Sequence, residues 1–330
     1  MNDNDLLKKY LNHFRNELRG KKIFLTGGTG FFGKWFQKSF LASDFDAELV
    51  ILSRNPERFK MAFPEFDSPR INYIQGDIRN FVFPAGCFDY IIHAATEASA
   101  KLLTEKPQEM YEVCVTGTRH TLKFAKQASC KRFLFTSSGA VYGNQPPNLY
   151  GFPENYPCSP ATAYGQGKYD AEQLCRESGL DVVLPRCFSF VGPYLNLDIH
   201  FAIGNFIRNG LDKEAIIIKG DGRPFRSYLY AADLMVWLWT ILLRGKNGVP
   251  YNVGSPEALS IEKLAHTVAE CFDSTIEVKT LGISDNSPAS RYIPDATMAK
   301  TELGLEVLTP LKDAIKKSIK YISSNINYAH

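Results

Sequence analysis

Tyr164 and Lys168 stand four residues apart, in the segment Tyr-Gly-Gln-Gly-Lys. On an α-helix this interval places both side chains on one face, and Ser159 and Pro160 predict that the helix begins near residue 160. A phenol ordinarily loses its proton at about pH 10, and a nearby ammonium group favours the phenolate. The pair therefore predicts an acid–base catalyst that works near neutral pH. By itself this spacing is weak evidence, because many helices carry such a pair without a catalytic role.

A cluster of hydroxyl side chains at residues 136–138 comes just before the sequence Val-Tyr-Gly at 141–143. The cluster lies at the carboxyl end of a predicted strand, 132–136. Ser138 is expected to hold a substrate oxygen by a hydrogen bond while Tyr164 exchanges a proton with it. Together with a cofactor site upstream, this order of motifs indicates redox chemistry.

The elements that would position these groups start with a glycine-rich turn at residues 26–33, which follows the apolar run Lys22–Leu25 and leads into a helical pattern. Glycines let a backbone turn sharply and approach a pyrophosphate, and a helix N-terminus offers unpaired N–H groups. The pattern predicts a dinucleotide site, although a glycine triplet alone also occurs in proteins without a nucleotide. The expected contacts are Gly27, Thr29, Gly30, Phe31, Phe32 and Gly33.

The end of the second predicted strand, residues 47–52, decides which nicotinamide cofactor is expected. An acidic residue here would bind the ribose hydroxyls of NAD and repel the extra phosphate of NADP. Ser53 and Arg54 stand at this place instead. Arg54, with Arg58, can bind a 2′-phosphate through paired N–H donors, so NADP(H) is favoured over NAD. The alternative is that Arg54 is a solvated surface residue.

The third and fourth predicted strands also end at expected cofactor contacts. After the third strand, the carboxylate of Asp77 and the backbone at Ile78 are expected to contact the adenine. After the fourth, the small residues Ala94 and Ala95 allow the backbone to pass close to a cofactor. His93 is expected to be a hydrogen-bonded structural residue rather than a catalytic one.

Strand and helix patterns alternate along the chain, which predicts an α/β fold with a doubly wound parallel sheet of the Rossmann type. The predicted NADP(H)-binding domain comprises residues 1–188 and about 226–254. A smaller, interleaved substrate lobe is predicted at 189–225 and about 255–330. An amphipathic helix at 3–19 is expected to pack on the surface of the first domain.

The composition of the 330 residues narrows the class of partner and the location. There are 38 Lys and Arg against 35 Asp and Glu, and this net charge of +3 gives no support for a nucleic-acid or membrane-surface partner. Seven scattered cysteines show no metal-ligand spacing. No metal is therefore expected, and the cysteines are expected to be reduced thiols. The polar N-terminus and the lack of a membrane-length apolar stretch favour a cytoplasmic location.

These motifs, taken together, resemble those of extended short-chain dehydrogenases/reductases of the NAD-dependent epimerase/dehydratase family, which act on nucleotide sugars. Besides the glycine turn and the Ser138, Tyr164 and Lys168 set, the resemblance rests on four segments spread over the second half of the chain. They are Pro-Arg-Cys-Phe at 185–188, Val-Gly-Pro at 191–193, Arg-Ser-Tyr-Leu-Tyr-Ala-Ala-Asp at 226–233 and Tyr-Asn-Val-Gly at 251–254.

The resemblance implies further roles for residues of this chain. Lys168 would also bind the nicotinamide ribose, and the segment with Pro185 and Cys187 would lie behind the nicotinamide ring. Arg226 and Arg291 would bind the substrate diphosphate, for which cationic planar donors are suited. Relatives form homodimers through the helices that correspond to residues 107–128 and 160–178, so a homodimer is expected.

Two departures from the family pattern bear on the substrate. Sugar 4,6-dehydratases carry an Asp-Glu pair where this chain has Gly139 and Ala140, and neither residue here can transfer a proton. Ser189 replaces an asparagine that often lies near the sugar. His200 and Asn205 are candidates to line the sugar pocket, with helix capping or packing as the alternative.

The expected reaction is hydride transfer at a sugar carbon, most simply C4 of a nucleoside-diphosphate hexose, with Tyr164 as acid or base. Return of the hydride to the opposite face would make the enzyme an epimerase, whereas NADPH as co-substrate would make it a 4-ketoreductase. A 4,6-dehydratase is disfavoured by Gly139 and Ala140. A non-catalytic NADP-binding sensor on the same fold is the alternative of another class.

Overall fold

The computed structural model describes residues 1–96, 105–197, 202–284 and 287–325. The chain divides into two compact units. The first contains residues 1–141, 160–187 and 235–251, and the second contains 142–159, 188–234 and 252–330. None of the helices in the described part of the chain combines the length and the apolarity needed to cross a lipid bilayer.

Strands and helices alternate through the first two-thirds of the chain. The strands are β1 Lys21–Thr26, β2 Ala47–Ser53, β3 Ile71–Gln75, β4 Tyr90–His93, β5 Arg132–Phe135, β6 Ser137–Ser138, β7 Val182–Cys187, β8 Phe190–Val191, β9 Ile216–Ile218, β10 Phe225–Arg226, β11 Leu229–Tyr230, β12 Pro250–Val253, β13 Leu259–Ser260, β14 Val278–Thr280 and β15 Arg291–Tyr292. The α-helices of the described residues are α1 Asp3–Leu11, α2 Arg15–Leu18, α3 Phe31–Ala42, α4 Pro56–Ala62, α5 Pro107–Gln127, α6 Ala163–Glu177, α7 Ala202–Leu211, α8 Ala231–Arg244, α9 Ile261–Ala269, α10 Thr297–Leu303 and α11 Leu311–Ser324.

The main sheet has the strand order β3-β2-β1-β4-β5-β7-β12, and β6 pairs with β7. The pairings of β1 with β2 and β4, of β2 with β3, and of β5 with β4 and β7 are all parallel. The strand order reverses between β1 and β4, and ligands of such sheets bind at the carboxyl ends of the strands at this point. The predicted doubly wound parallel sheet is confirmed.

Apolar strand residues fill both faces of this sheet. On one face, Phe24 of β1 packs among Phe88 and Phe124, whose ring centroids lie 5.5 and 4.8 Å from its own. Its chain neighbours Ile23 and Leu25 are fully buried on the opposite face, as expected from the alternation of side chains in a strand. This packing on both faces fixes the positions of the strand ends.

The N-terminal segment lies on the first unit, with α1 packed against α3. The predicted single helix at 3–19 is interrupted: α1 ends at Leu11, and a short 3₁₀ turn precedes α2. Leu7, Leu11, Phe14 and Leu18 are fully buried, so the amphipathic pattern was informative although the helix is not continuous.

The helix that carries Tyr164 begins later than predicted. Its N-cap is Thr162, which has extended backbone angles and accepts a hydrogen bond at Oγ1 from the backbone N–H of Gly165 at 3.0 Å. The prediction of Ser159 as the cap and Pro160 as the first helical residue is therefore wrong. A threonine cap two residues before Tyr164 satisfies one of the N–H groups that the helix leaves unpaired.

The described residues of the second unit form three small sheets. Its pairings are β8 with β11, β9 with β14, and a three-stranded sheet in the order β13-β10-β15. Asp233 connects α8 to the chain before α11, because its carboxylate accepts hydrogen bonds from the backbone of Leu308 and from both the backbone and the hydroxyl of Thr309.

Candidate functional site

The glycine turn between β1 and α3 forms a tight cradle, in which Gly27 and Gly33 have no space for a side chain. Gly27 has a φ of +72°, and a Cβ atom there would lie 2.5 Å from the carbonyl oxygen of Ala94. A Cβ at Gly33 would lie 2.2 Å from the backbone of Gly28. Gly30 is the N-cap of α3 and caps it with no side chain. The backbone therefore leaves room at the first turn of α3, and these residues fit the pyrophosphate of a dinucleotide.

Two side chains behind this cradle hold the turn in place. Gln37 of α3 is fully buried and donates from Nε2 to the carbonyl oxygen of Gly28 at 2.8 Å. The hydroxyl of Tyr73 in β3 donates in turn to Oε1 of Gln37. Burial raises the pKa of Tyr73, which keeps its hydroxyl protonated as a donor. Sequence reasoning missed both residues, because neither has a spacing typical of a cofactor motif.

The end of β2 presents basic rather than acidic side chains. Ser53 is buried, and its Oγ accepts a hydrogen bond from the backbone of Asn55 at 3.2 Å. Arg54 and Arg58 are both exposed. The nearby acidic residue Glu57 forms a 3.0 Å ion pair with Lys60.

At the end of β3, Arg79 donates to both carboxylate oxygens of Asp77, at 2.8 and 2.9 Å. These hydrogen bonds lower the pKa of Asp77. Ile78 beside it is buried. Ala94 and Ala95, after β4, are half-buried, and Ala94 borders the glycine turn.

His93 is a buried structural group. Its Nδ1 lies 2.7 Å from the hydroxyl oxygen of Thr26, and its Nε2 lies 3.0 Å from that of Thr118. Burial lowers the pKa of His93 to about 3, so the ring stays neutral. The two hydrogen bonds join the ends of β1 and β4 to α5.

Lys168 is the charged residue among the catalytic candidates Ser138, Tyr164 and Lys168. Its Nζ donates to the carbonyl oxygen of Thr136 at 2.6 Å and to Oγ1 of Thr96 at 2.7 Å. It also lies 5.9 Å from the ring centroid of Tyr164. Burial lowers the pKa of Lys168. An ammonium in this position can stabilise a negative charge on the neighbouring phenol.

Ser138 lies in a strand that contacts the same helix. With Ser137 it forms β6, against which α6 packs, and its Oγ accepts a hydrogen bond from the backbone of Ala140 at 3.2 Å. The approach is close enough that a Cβ at Gly165 would lie 2.6 Å from the carbonyl oxygen of Ala140. The glycine directly after Tyr164 therefore allows the helix to contact the strand end. This role for Gly165 was not recognised from the sequence.

Pro185 and Cys187 lie in the buried strand β7, where Cys187 pairs with Ser138 in parallel register. Burial raises the pKa of the Cys187 thiol to about 12, so the thiol stays protonated and unreactive. The Cys187 side chain would therefore make apolar contact with a neighbouring ligand.

In the second unit, Arg226 and Arg291 lie on the neighbouring strands β10 and β15, where Phe225 pairs with Arg291. The guanidinium group of Arg291 lies 4.7 Å from the ring centroid of Phe225 and 5.7 Å from that of Tyr150. Nε of Arg291 is buried and has no hydrogen-bond partner in the described part of the chain. Nη1 of Arg226 lies 3.5 Å from Oγ of Ser290, the residue before Arg291.

A cavity of about 360 Å³ also involves Ser290, and its other lining residues are Gly220, Asp221, Arg223, Pro224, Gly282, Ile283 and residues 287–289. Ser189 and Asn205, the other candidates for sugar contacts in this unit, are half-buried. His200 lies outside the described residues.

Comparison with known proteins identifies the family. A sequence profile of the NAD dependent epimerase/dehydratase family matches residues 23–254. The chain is 29% identical over 304 residues to UDP-glucuronic acid decarboxylase 5 of Arabidopsis thaliana, with 89% of this chain and 87% of that protein covered. It is 27% identical over 329 residues to UDP-glucuronic acid decarboxylase 1 of Xenopus tropicalis, with 96% and 75% covered.

Solved structures share the fold. A UDP-glucose 4-epimerase from Thermotoga maritima superposes with a TM-score of 0.79 at 22% identity, covering 92% of this chain and 99% of its own. A dTDP-glucose 4,6-dehydratase, DesIV from Streptomyces venezuelae, was solved with NAD and superposes with a TM-score of 0.79 at 24% identity, covering 93% and 98%. The named reactions differ, but the substrates are nucleotide sugars throughout. Because the matching profile spans most of the sequence, the chain belongs to the NAD-dependent epimerase/dehydratase family.

Proposed function

We propose that this chain is a nucleotide-sugar epimerase or 4-ketoreductase that oxidises or reduces C4 of a hexose with NADP(H). The observation that carries this proposal is the buried ammonium of Lys168, fixed by two hydrogen bonds at a strand end and set one helical turn from Tyr164. A buried cation beside a phenol is the arrangement that acid–base chemistry at a sugar hydroxyl needs.

The roles of the residues follow from this arrangement. Ser138 holds the C4 oxygen of the sugar, and Tyr164 accepts the hydroxyl proton in oxidation or donates it in reduction. Lys168 stabilises the phenolate form of Tyr164. When bound, the nicotinamide supplies the hydride acceptor or donor. Pro185 and Cys187, both buried in β7, limit the access of water to the reacting carbon.

The preference for NADP(H) is supported by the end of β2. Arg54 and Arg58 are exposed there, and the nearby Glu57 is paired with Lys60. A 2′-phosphate would therefore meet basic donors at the place where an acidic residue would repel it.

The substrate diphosphate is assigned to Arg226 and Arg291. Arg291 is stacked on two aromatic rings and keeps a buried, unpaired Nε, a donor that an anionic oxygen would satisfy. Tyr150 and Phe225 fix the plane of its guanidinium group, which favours paired hydrogen bonds to phosphate oxygens.

Decarboxylation is a second candidate, because the curated relatives are named UDP-glucuronic acid decarboxylases. Oxidation of C4 in a hexuronic acid would produce a β-keto acid, which loses carbon dioxide from C5. The resulting C4–C5 enolate then takes up one proton at C5, without an acid and a base acting together across C5 and C6. The absence of acidic side chains at Gly139 and Ala140 is compatible with this reaction and with epimerisation. It disfavours 4,6-dehydration, which needs an acid and a base there.

The test is incubation of the purified chain with UDP-, dTDP-, CDP- and GDP-hexoses, their 4-keto forms and UDP-glucuronic acid, each with NADP⁺ or NADPH. Products are analysed by mass spectrometry and NMR. A product heavier by two hydrogens indicates the reductase, and an isobaric product with inverted C4 indicates the epimerase. Loss of carbon dioxide would select the second candidate instead.

The matched control is Tyr164→Phe, which keeps the ring and removes the hydroxyl. We expect its turnover to fall by about a hundredfold or more. Loss of water as the wild-type reaction would contradict the argument from Gly139 and Ala140. Tight binding of NADP(H) without turnover of any sugar would favour a non-catalytic sensor.

A further inference from the structure

The carboxylate of Glu172 lies at the centre of a buried network beside the candidate catalytic residues. Glu172 is on α6, one helical turn beyond Lys168 and two beyond Tyr164, and its side chain is fully buried. Its two oxygens accept hydrogen bonds from three side chains. These are Ser137 Oγ at 2.5 Å, Arg186 Nε and Nη2 at 2.9 and 2.8 Å, and Arg176 Nη1 at 3.2 Å.

Two of the three partners of this carboxylate lie on β6, which carries the substrate-binding candidate, and on the neighbouring strand β7. Ser137 is in β6 and Arg186 is in β7, and the two residues pair in parallel register. Ser137 directly precedes Ser138. One carboxylate on α6 therefore binds the strand end that presents Ser138, while the same helix presents Tyr164 and Lys168.

Glu172 keeps its charge in this environment. Burial raises the pKa of its carboxyl group, but the hydrogen bonds and charges of Arg186, with Ser137 and Arg176, outweigh burial and hold the pKa below its usual value. The two parallel hydrogen bonds between the Glu172 carboxylate and the Arg186 guanidinium group restrict the relative position of α6 and β7 more than apolar packing would. Loss of either partner would leave an unpaired buried charge.

We propose that Glu172 is a positioning residue for catalysis: it fixes the distance between the hydroxyl groups of Tyr164 and Ser138 by joining their helix and strand. This inference rests on the proposed function, because it assumes that both hydroxyls act on one sugar oxygen. A catalytic group displaced by about 1 Å can lose two orders of magnitude in rate. Because Glu172 joins the helix that carries Tyr164 to the strand that carries Ser138, it limits this displacement.

A purely structural role makes a different prediction. If the network only stabilised the first unit, variants would unfold more easily, but the folded fraction would turn over substrate at the normal rate. If the network positions the hydroxyls, the folded variants would be slow. The fraction of folded protein must therefore be measured separately from the rate.

The experiment compares Glu172→Gln, Glu172→Asp and Ser137→Ala with the wild-type chain, using the sugar that the substrate panel identifies. Asp233→Asn is the matched control, because Asp233 is another buried carboxylate with three hydrogen bonds but is tied to Thr309 and Leu308 instead. All assays are made where circular dichroism shows each variant to be folded.

For Glu172→Gln we expect kcat to fall by about ten- to a hundredfold, with KM and the dissociation constant of NADPH within about twofold. The kinetic isotope effect with deuterium in place of the transferred hydride, at C4 of the sugar for oxidation or on NADPH for reduction, should rise, because hydride transfer becomes slower. Glu172→Asp keeps the charge and should recover part of kcat. Ser137→Ala retains the pair with Arg186 and should lose about threefold to tenfold, so it tests the proposal if Glu172→Gln does not fold.

Three results would decide against this role. An unchanged kcat in folded Glu172→Gln or Ser137→Ala would overturn it, as would an equal loss of kcat in Asp233→Asn. An increase confined to KM would assign the network to substrate binding instead. If the wild-type chain turned over no sugar in the panel, the proposed function itself would fail, which is a result distinct from these three.

Discussion

The ammonium of Lys168 donates a 2.6 Å hydrogen bond to the carbonyl oxygen of Thr136, two residues before Ser138. The cation is therefore fixed to the strand end that presents the candidate substrate-binding hydroxyl. We expect Lys168→Met to reduce kcat by about a hundredfold or more, because the phenolate of Tyr164 loses its stabilising charge. Steady-state assays with the identified sugar would measure this loss.

Tyr169→Phe provides the control for Lys168→Met and for Tyr164→Phe. Tyr169 follows Lys168 on the same helix and is half-buried, as Tyr164 is. Its substitution should leave kcat within about twofold of the wild-type value. A comparable loss of rate in Tyr169→Phe would show that helix α6 is simply intolerant of change.

The contact between α6 and the strand end predicts a steric effect at Gly165. A methyl group there would lie 2.6 Å from the carbonyl oxygen of Ala140, so Gly165→Ala must push the helix away from β6. We expect a stability loss of about 1–3 kcal/mol, typical of overpacking, and a fall in kcat larger than the fall in affinity for NADPH. Urea denaturation and steady-state kinetics would measure the two effects.

Gly167→Ala separates helix packing from the position of Tyr164. A Cβ at Gly167 would lie 3.0 Å from Cβ of Cys114 in α5, on another side of the helix. This variant should lose stability but retain more of kcat than Gly165→Ala. Equal losses of kcat in both variants would argue against the close approach to Ala140 as the critical contact.

Local sequence signals were sufficient to predict the sheet. The apolar runs at β1, β2 and β4 are buried on both faces, and such runs separated by helical patterns permit few arrangements other than a parallel, doubly wound sheet. Helix ends were harder to predict, because Ser159 and Thr162 are both suitable caps. The backbone geometry, which the sequence does not display, selects Thr162.

The side chains that support the site could not be found from spacing. Gln37 and Glu172 act through partners far along the chain: Gln37 is bound by Tyr73, and Glu172 by Arg186. A polar residue on a helix is ordinarily read as exposed. Only the tertiary structure shows that these two are buried, and the buried position makes their hydrogen bonds obligatory.

The basic end of β2 predicts a cofactor preference that can be reversed. We expect Arg54→Ala to weaken NADP(H) binding by about tenfold or more, since a charge-assisted hydrogen bond contributes about 1.5–3 kcal/mol, while NAD binding stays constant. Ser53→Asp should shift the preference towards NAD by repelling the 2′-phosphate. Isothermal titration with both cofactors would measure this. Equal weakening for NAD and NADP, or none, would contradict the assignment of Arg54.

The unpaired Nε of Arg291 predicts a binding effect rather than a rate effect. Arg291→Ala should raise KM for the nucleotide sugar by about tenfold to a hundredfold, because charge-assisted bonds to the diphosphate are lost, with kcat changed less. Lys312→Ala is the control, since Lys312 belongs to the same unit and its charge is already paired with Glu270 at 3.0 Å. If both variants raised KM equally, general loss of positive charge would explain the result.

Because His93 is buried and neutral, we expect the free energy of unfolding to fall as the pH is lowered. Its pKa is lowered from 6.5 to about 3 by burial, so acid protonates the unfolded chain before the folded one. The stabilising contribution of neutral His93 is complete above pH 6.5 and is lost as the pH falls towards 3, by about 1.4 kcal/mol for each pH unit.

Urea denaturation of the wild-type protein and of His93→Gln between about pH 7 and pH 5 would isolate the contribution of His93 to the free energy of unfolding, because the other titrating groups are common to both proteins. The wild-type protein should be more stable at neutral pH, and its advantage should shrink steadily in acid. An advantage that does not change with pH would mean that the folded chain accommodates a protonated His93 between Thr26 and Thr118.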